Sequence, residues 1–189
     1  PLSLGPRVVL QPWLMQEGYI IYQDIADEHA PLMNLILMVL QPLTSDGLLL
    51  AKAVLVALIS LTTFLTYISV RSQTNNSFGV IGAIFFALWS PIFGFGKLWH
   101  ETFLALIYVI MFMIWKPLLL TNTKRSILIG LLMGTALLFK QHAIVVIFLV
   151  FLYSLFLGVN RSGSVSKILK NTGWFVGALL LPIALFITY

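Results

Sequence analysis

From Leu48 to Val70 the chain runs through apolar and hydroxyl-bearing residues broken by a single charge, Lys52, and this run constrains the fold more than any other feature. A hydrocarbon core about 30 Å thick takes roughly 20 helical residues, so the run is long enough to cross a bilayer as one helix. Phe78–Phe95 has a similar length, and shorter apolar stretches lie at Leu32–Leu43, Thr102–Trp115, Ile127–Phe139, Ala143–Leu157 and Gly173–Tyr189. The runs are continuous and lack the alternation of a barrel strand, which predicts helices. The composition, 60% hydrophobic and 9% charged, excludes a water-soluble fold, since a soluble domain is about half apolar and about a quarter charged. The expected architecture is all-α: a polytopic transmembrane helix bundle over residues 31–189, preceded by an outer-face first loop over residues 1–30 that carries juxtamembrane helices. The chain opens at Pro1 without a methionine and stops at Tyr189 inside an apolar run, which reads as a piece of a longer membrane protein.

The absence of cysteine excludes disulfides, thiol nucleophiles and thiolate metal sites. The net charge of +5 comes from basic residues scattered among apolar runs. That pattern suits loops beside a membrane and predicts no nucleic-acid partner.

Charge also orients the runs. Lys116, Lys124 and Arg125 form one basic loop, and Arg161, Lys167 and Lys170 another. If both are cytoplasmic, Ile127–Leu157 crosses twice and turns outward at Lys140-Gln141-His142. Working backwards, Arg71 falls inside and Lys97–Glu101 outside, while Leu32–Leu43 is too short to span and reads as a half-inserted or juxtamembrane helix. All six acids and all three histidines then share the outer side. The expected location is a multi-pass inner-membrane protein with an outward-facing site.

The densest polar stretch, Tyr22-Gln23-Asp24-Ile25-Ala26-Asp27-Glu28-His29-Ala30-Pro31, precedes re-entry into apolar sequence. Its carboxylates suit general-base work or a divalent metal, with Glu28 and His29 as the metal candidates; the bland alternative is a solvated loop with Pro31 opening a helix. Lys52, four residues into its apolar run, either snorkels to the interface or meets an anionic headgroup or phosphate. Lys140 and His142 make a plain turn or aim a cation and an imidazole at the outer cavity, and His100-Glu101 contacts substrate or caps the following helix. Gly130–Gly134 and Gly173–Gly177 match the small-xxx-small pattern of close helix packing, and Trp13, Trp89, Trp99, Trp115 and Trp174 fit an interfacial belt. Asn75-Asn76-Ser77 and Asn160-Arg161-Ser162 match the glycosylation pattern but fall on the expected cytoplasmic side.

In order and phrasing, Gln16–Asp24, Asp27-Glu28-His29-Ala30-Pro31-Leu32, the early basic residue Lys52 and Gly130–Gln141 resemble the polytopic GT-C glycosyltransferases. The likeness is to the bacterial branch similar to protein mannosyltransferases and lipid A aminoarabinose transferases, and it runs from Pro6 to about Val150. The resemblance implies transfer of a sugar from a polyprenyl-phosphate donor to a lipid, glycan or protein acceptor on the outer face of the membrane. It makes Asp24, Asp27 and Glu28 the catalytic candidates, and His29, Lys52, His100, Glu101, Lys140 and His142 the substrate-binding ones. Where the family carries an early acidic residue in this loop, the chain has Ser3-Leu4-Gly5. The alternative is a transporter or flippase for a lipid-linked or small anionic substrate, with Lys52 and Lys140 as anion contacts.

Overall fold

A computed structural model describes residues 7–27, 29–90, 98–114, 122–162 and 165–187, with the side chains at 154 and 157–162 left aside. All regular elements among them are helical, apart from an isolated bridge between Ile21 and Ile25. The chain divides into two compact units, Pro1–Ile110 and Met111–Tyr189.

In the first unit α1 (Arg7–Gln16) ends in a Schellman motif: Gly18 N–H bonds Met15 O and Tyr19 N–H bonds Leu14 O. The reversal needs a left-handed residue, and Gly18 supplies it at φ +95°. A tight loop over residues 19–31 leads to α2 (Leu32–Leu40), which buries Met33, Asn34 and Leu37 on one face. At nine residues α2 is roughly 14 Å long, too short to span, as the length of its apolar run predicts. A 3-10 turn, Gln41–Leu43, joins it to α3 (Gly47–Gln73). The Asp46 carboxylate caps α3, accepting from the Leu48 and Leu49 amides at 2.9 and 3.0 Å. Asp46→Ala is expected to cost about 1 kcal/mol in thermal unfolding, whereas Asp46→Asn should lose little.

With 27 residues α3 is about 40 Å long. It buries a single stripe, Leu50, Ala51, Leu55, Leu58, Thr62 and Ser69, and exposes apolar residues elsewhere. Asn75 caps α4 (Asn76–Trp89) through Phe78 N–H, and Gly79 and Gly82 let α4 sit against Tyr67, Val70 and Arg71 of α3. The described helix stops at Trp89, short of the span expected for Phe78–Phe95; residues 91–97 lie outside the described residues. α5 covers His100–Ile114.

The second unit holds α6 (Thr123–Phe139), α7 (Ala143–Ser162) and α8 (Val165–Ile187). Lys140 adopts an extended backbone, φ −159° and ψ 127°, so Ile127–Leu157 is two helices, as its polar interruption predicts. α6 and α8 run in the same direction. Thr123 Oγ1 donates to Asn171 Oδ1 at 2.7 Å, Gly130 lies against Phe175 and Ala178, and Gly134 lies against Leu179 and Pro182. Gly130–Gly134 is therefore a close-packing seam, whereas Gly173 and Gly177 face open space. The glycine pattern was the same for both pairs; only one has a neighbour. Lys124, Arg125, Lys167 and Lys170 gather at one end of this unit, and the 140–142 turn lies at the other.

Among the described residues two helices, α3 and α8, are long and apolar enough to cross a membrane. α8 begins eight residues before the expected apolar run at Gly173, because Val165–Thr172 forms an amphipathic first part that buries Ile168 and Asn171.

Candidate functional site

The polar stretch between α1 and α2 folds on its own backbone. Asp24 Oδ2 accepts from Ile20 N–H at 2.8 Å, while Ile20 O takes the amides of Gln23, Asp24 and Ile25. One oxygen of Asp24 is thus spent on closing the loop. Tyr22, at its apex, sits at φ +70°, a conformation that costs a non-glycine residue about 1 kcal/mol or more. It is held there by its N–H to Ile25 O at 2.9 Å and by its hydroxyl, which donates to His29 O.

Asp27 is the centre of the arrangement. Its side chain is 3% exposed and receives three hydrogen bonds. Oδ1 accepts from the His29 N–H at 3.0 Å and pairs with His29 Nδ1 at 3.1 Å; Oδ2 accepts from Asn34 Nδ2 at 3.0 Å. Asn34 is fully buried on α2, and its other N–H donates to Gln11 Oε1 on α1 at 3.1 Å. The carboxylate is therefore fixed by its own loop and by Asn34 of α2, which α1 in turn holds through Gln11. With Nδ1–H turned to Asp27, the neutral His29 ring carries its lone pair on Nε2. The ring stacks on His100 with centroids 4.5 Å apart and meets the edge of Trp99 at 5.3 Å, which docks the loop onto the start of α5.

On the open side, Arg7, Tyr22, Ala26 and Asp27 line a cavity of about 430 Å³. The guanidinium of Arg7 and the phenol of Tyr22 suit a ligand carrying both an anion and hydroxyl groups, with Asp27, its side chain 3% exposed, at the edge of the same cavity. Partial burial and the Asp27 charge push the Tyr22 hydroxyl up to about 12. Its neutral form is the one favoured by folding. The stabilisation is full below the ordinary tyrosine value near 10 and is lost as pH rises through about 12. Spectrophotometric titration should show a phenolate transition near pH 12 that Tyr22→Phe removes.

The remaining expected site residues are dispersed. Lys52 is exposed on the sixth residue of α3, at the end that lies against α1 through Gly47 and Val9. Glu101 occupies the first turn of α5, where a negative charge complements the helix dipole. Lys140 and His142 belong to the turn of the second unit, with His142 exposed. Glu28 lies outside the described residues, so the Glu28–His29 metal pair has one member there. Among the described residues no three His, Cys, Asp or Glu side chains converge as metal donors, and His29 Nδ1 and Asp27 are turned to each other.

Arg7, Gln11 and Asn34 were not singled out from sequence, and Tyr22 entered only as the first residue of the polar stretch. Asn34 carried a usable signal: it is the one amide in the apolar helix Leu32–Leu40, and a buried amide requires partners. Trp99, read from sequence as part of an interfacial belt, packs on His29. No family model, curated protein or solved structure matches the chain.

Proposed function

We propose that the chain is the outward-facing catalytic part of a polytopic membrane glycosyltransferase that moves a sugar from a polyprenyl-phosphate donor to an acceptor hydroxyl. The observation that supports this reading best is the Asp27 carboxylate, fixed by three donors at the wall of a cavity that also presents Arg7. In the reaction the acceptor oxygen bonds to the anomeric carbon as the bond from that carbon to the phosphate oxygen breaks. The acceptor proton passes to Asp27, and polyprenyl phosphate leaves with its new negative charge facing the Arg7 guanidinium. A fixed carboxylate serves this step because it costs no reorganisation when the proton moves. No step here uses a metal.

The membrane placement is part of the proposal. The exposed apolar faces of α3, α4, α7 and α8 meet lipid, the basic ends of α6 and α8 lie in the cytoplasm, and the 140–142 turn and the Asp27 loop lie outside. Since the chain has no cysteine, single cysteines report topology directly. His142→Cys should label with a membrane-impermeant maleimide in intact cells, and Asn75→Cys only after permeabilisation. The reverse pattern would overturn the orientation.

The functional test is transfer of radiolabelled sugar from polyprenyl-phosphate donors to membrane acceptors by the full-length protein. Loss of transfer on changing Asp27 supports the reading. No transfer from any donor by folded protein removes it.

A further inference from the structure

The end of the second unit at which α6 and α8 begin carries charge that its own fold does not reward. Thr123 and Asn171 are joined at 2.7 Å, which sets the first residue of α6 level with the second turn of α8. Lys124 and Arg125 follow Thr123, and Lys167 and Lys170 precede Asn171, so the four backbones lie within about 9 Å of one another along the helix axes. Lys124, Lys167 and Lys170 are exposed and Arg125 is half-buried. Among the described residues no hydrogen bond or ion pair engages any of the four side chains. Residues 111–189 hold no aspartate or glutamate, so nothing in this unit can neutralise them.

Local physics makes this placement costly. Lys124, Arg125 and Lys167 stand in the first turns of their helices, and neither first turn carries an acid. A helix start favours negative charge, so these cations oppose two parallel dipoles as well as one another. Charge that breaks the local rule and gains nothing inside the chain marks a place compensated from outside.

The neighbouring surface selects the anion. Lys167, Lys170 and Trp174 succeed one another on one face of α8 at spacings of three and four residues, and all three are exposed. Past Trp174 the exposed large side chains are Val176, Leu180 and Leu181. Cations, then a tryptophan, then aliphatic surface is the order in which a phospholipid presents phosphate, headgroup boundary and acyl chains. A free phosphate or a nucleic acid would leave the apolar part uncovered.

We propose that the common end of α6 and α8 binds the phosphate of anionic phospholipid headgroups through Lys124, Arg125, Lys167 and Lys170. This rests on α8 crossing the membrane and not on sugar transfer.

The test uses the full-length protein in neutral detergent with equal phosphatidylglycerol and phosphatidylcholine, bound lipid being counted by native mass spectrometry. Wild type should retain phosphatidylglycerol over phosphatidylcholine by about fivefold or more, the scale of one cation at an anionic surface. The ratio should fall towards one in the variant carrying Lys124→Gln, Arg125→Gln, Lys167→Gln and Lys170→Gln. Phosphatidylglycerol should raise the unfolding temperature of wild type and leave that of the variant unchanged. Lys167→Gln with Lys170→Gln, both solvent-facing, carries the test should the fourfold variant fail to fold, and it should lower the ratio in the same direction. Equal retention of the two lipids by wild type overturns the proposal, as does undiminished preference in either variant. So does stabilisation of wild type by inorganic phosphate or an oligonucleotide equal to that by phosphatidylglycerol, which would make the patch a site for a soluble anion. Cysteine labelling at His142 and Asn75 reads the membrane placement separately, so failure here leaves that placement standing.

Discussion

Replacing Gly134 with alanine is expected to loosen the second unit more than any other single methyl group could. A Cβ there would lie 2.2 Å from the Leu179 carbonyl oxygen and 3.1 Å from Pro182 Cδ. At Gly130 the corresponding obstacle is the Phe175 carbonyl at 2.4 Å. Both obstacles are main-chain atoms of a regular helix, so no rotamer change relieves the clash and α8 has to move as a body. The expected cost is about 3 kcal/mol for Gly134→Ala, the upper range for overpacking. It should be larger for Gly134→Leu, read as loss of helicity at lower detergent denaturant. The controls carry the opposite sign. Gly173→Ala and Gly177→Ala meet nothing within 4 Å, so each should be neutral or stabilising by up to about 1 kcal/mol through helix propensity. Equal effects at both glycine pairs would mean that α6 and α8 do not meet along this seam.

The second large effect is expected at Asp27. Asp27→Asn should lower sugar transfer by about 10²–10⁴-fold, the range for a general base, and it places an amide opposite Asn34 Nδ2, where a carboxylate oxygen now accepts at 3.0 Å. Asn34→Asp, in turn, brings two carboxylates together in a buried place and should destabilise the fold. The double exchange, Asp27→Asn with Asn34→Asp, restores a carboxylate–amide pair but moves the charge from the loop to α2. Thermal stability should recover in the double variant while transfer stays low. Recovery of both would show that the carboxylate acts only as a strut, and that Asp27 is not the base.

Much of the architecture was legible because long apolar helices follow a local rule: the backbone satisfies its own hydrogen bonds within the segment, and apolar length sets which helices could cross a membrane. Leu48–Val70 became α3 nearly as read, and the polar interruption at Lys140 became the break between α6 and α7. Local reading went astray where ends depend on neighbours. α8 gained Val165–Thr172 because Ile168 and Asn171 find burial there, which a hydropathy run cannot register. The acidic stretch after Tyr22 was visible as a candidate site, but its members looked alike.

What the sequence determined by itself is therefore the helical class, the candidate spans, the unequal charge of the two halves and the short list Asp24, Asp27 and Glu28. Tertiary structure alone decided which aspartate is held at a cavity. Asp24 bonds the amide four residues back, whereas Asp27 is reached by Asn34 of α2 and by His29, itself packed on both His100 and Trp99. It also decided which glycine pair is a seam. Two identical side chains, or two identical spacings, differ only in what the rest of the chain brings within a few ångströms, and that distance depends on residues far away in sequence.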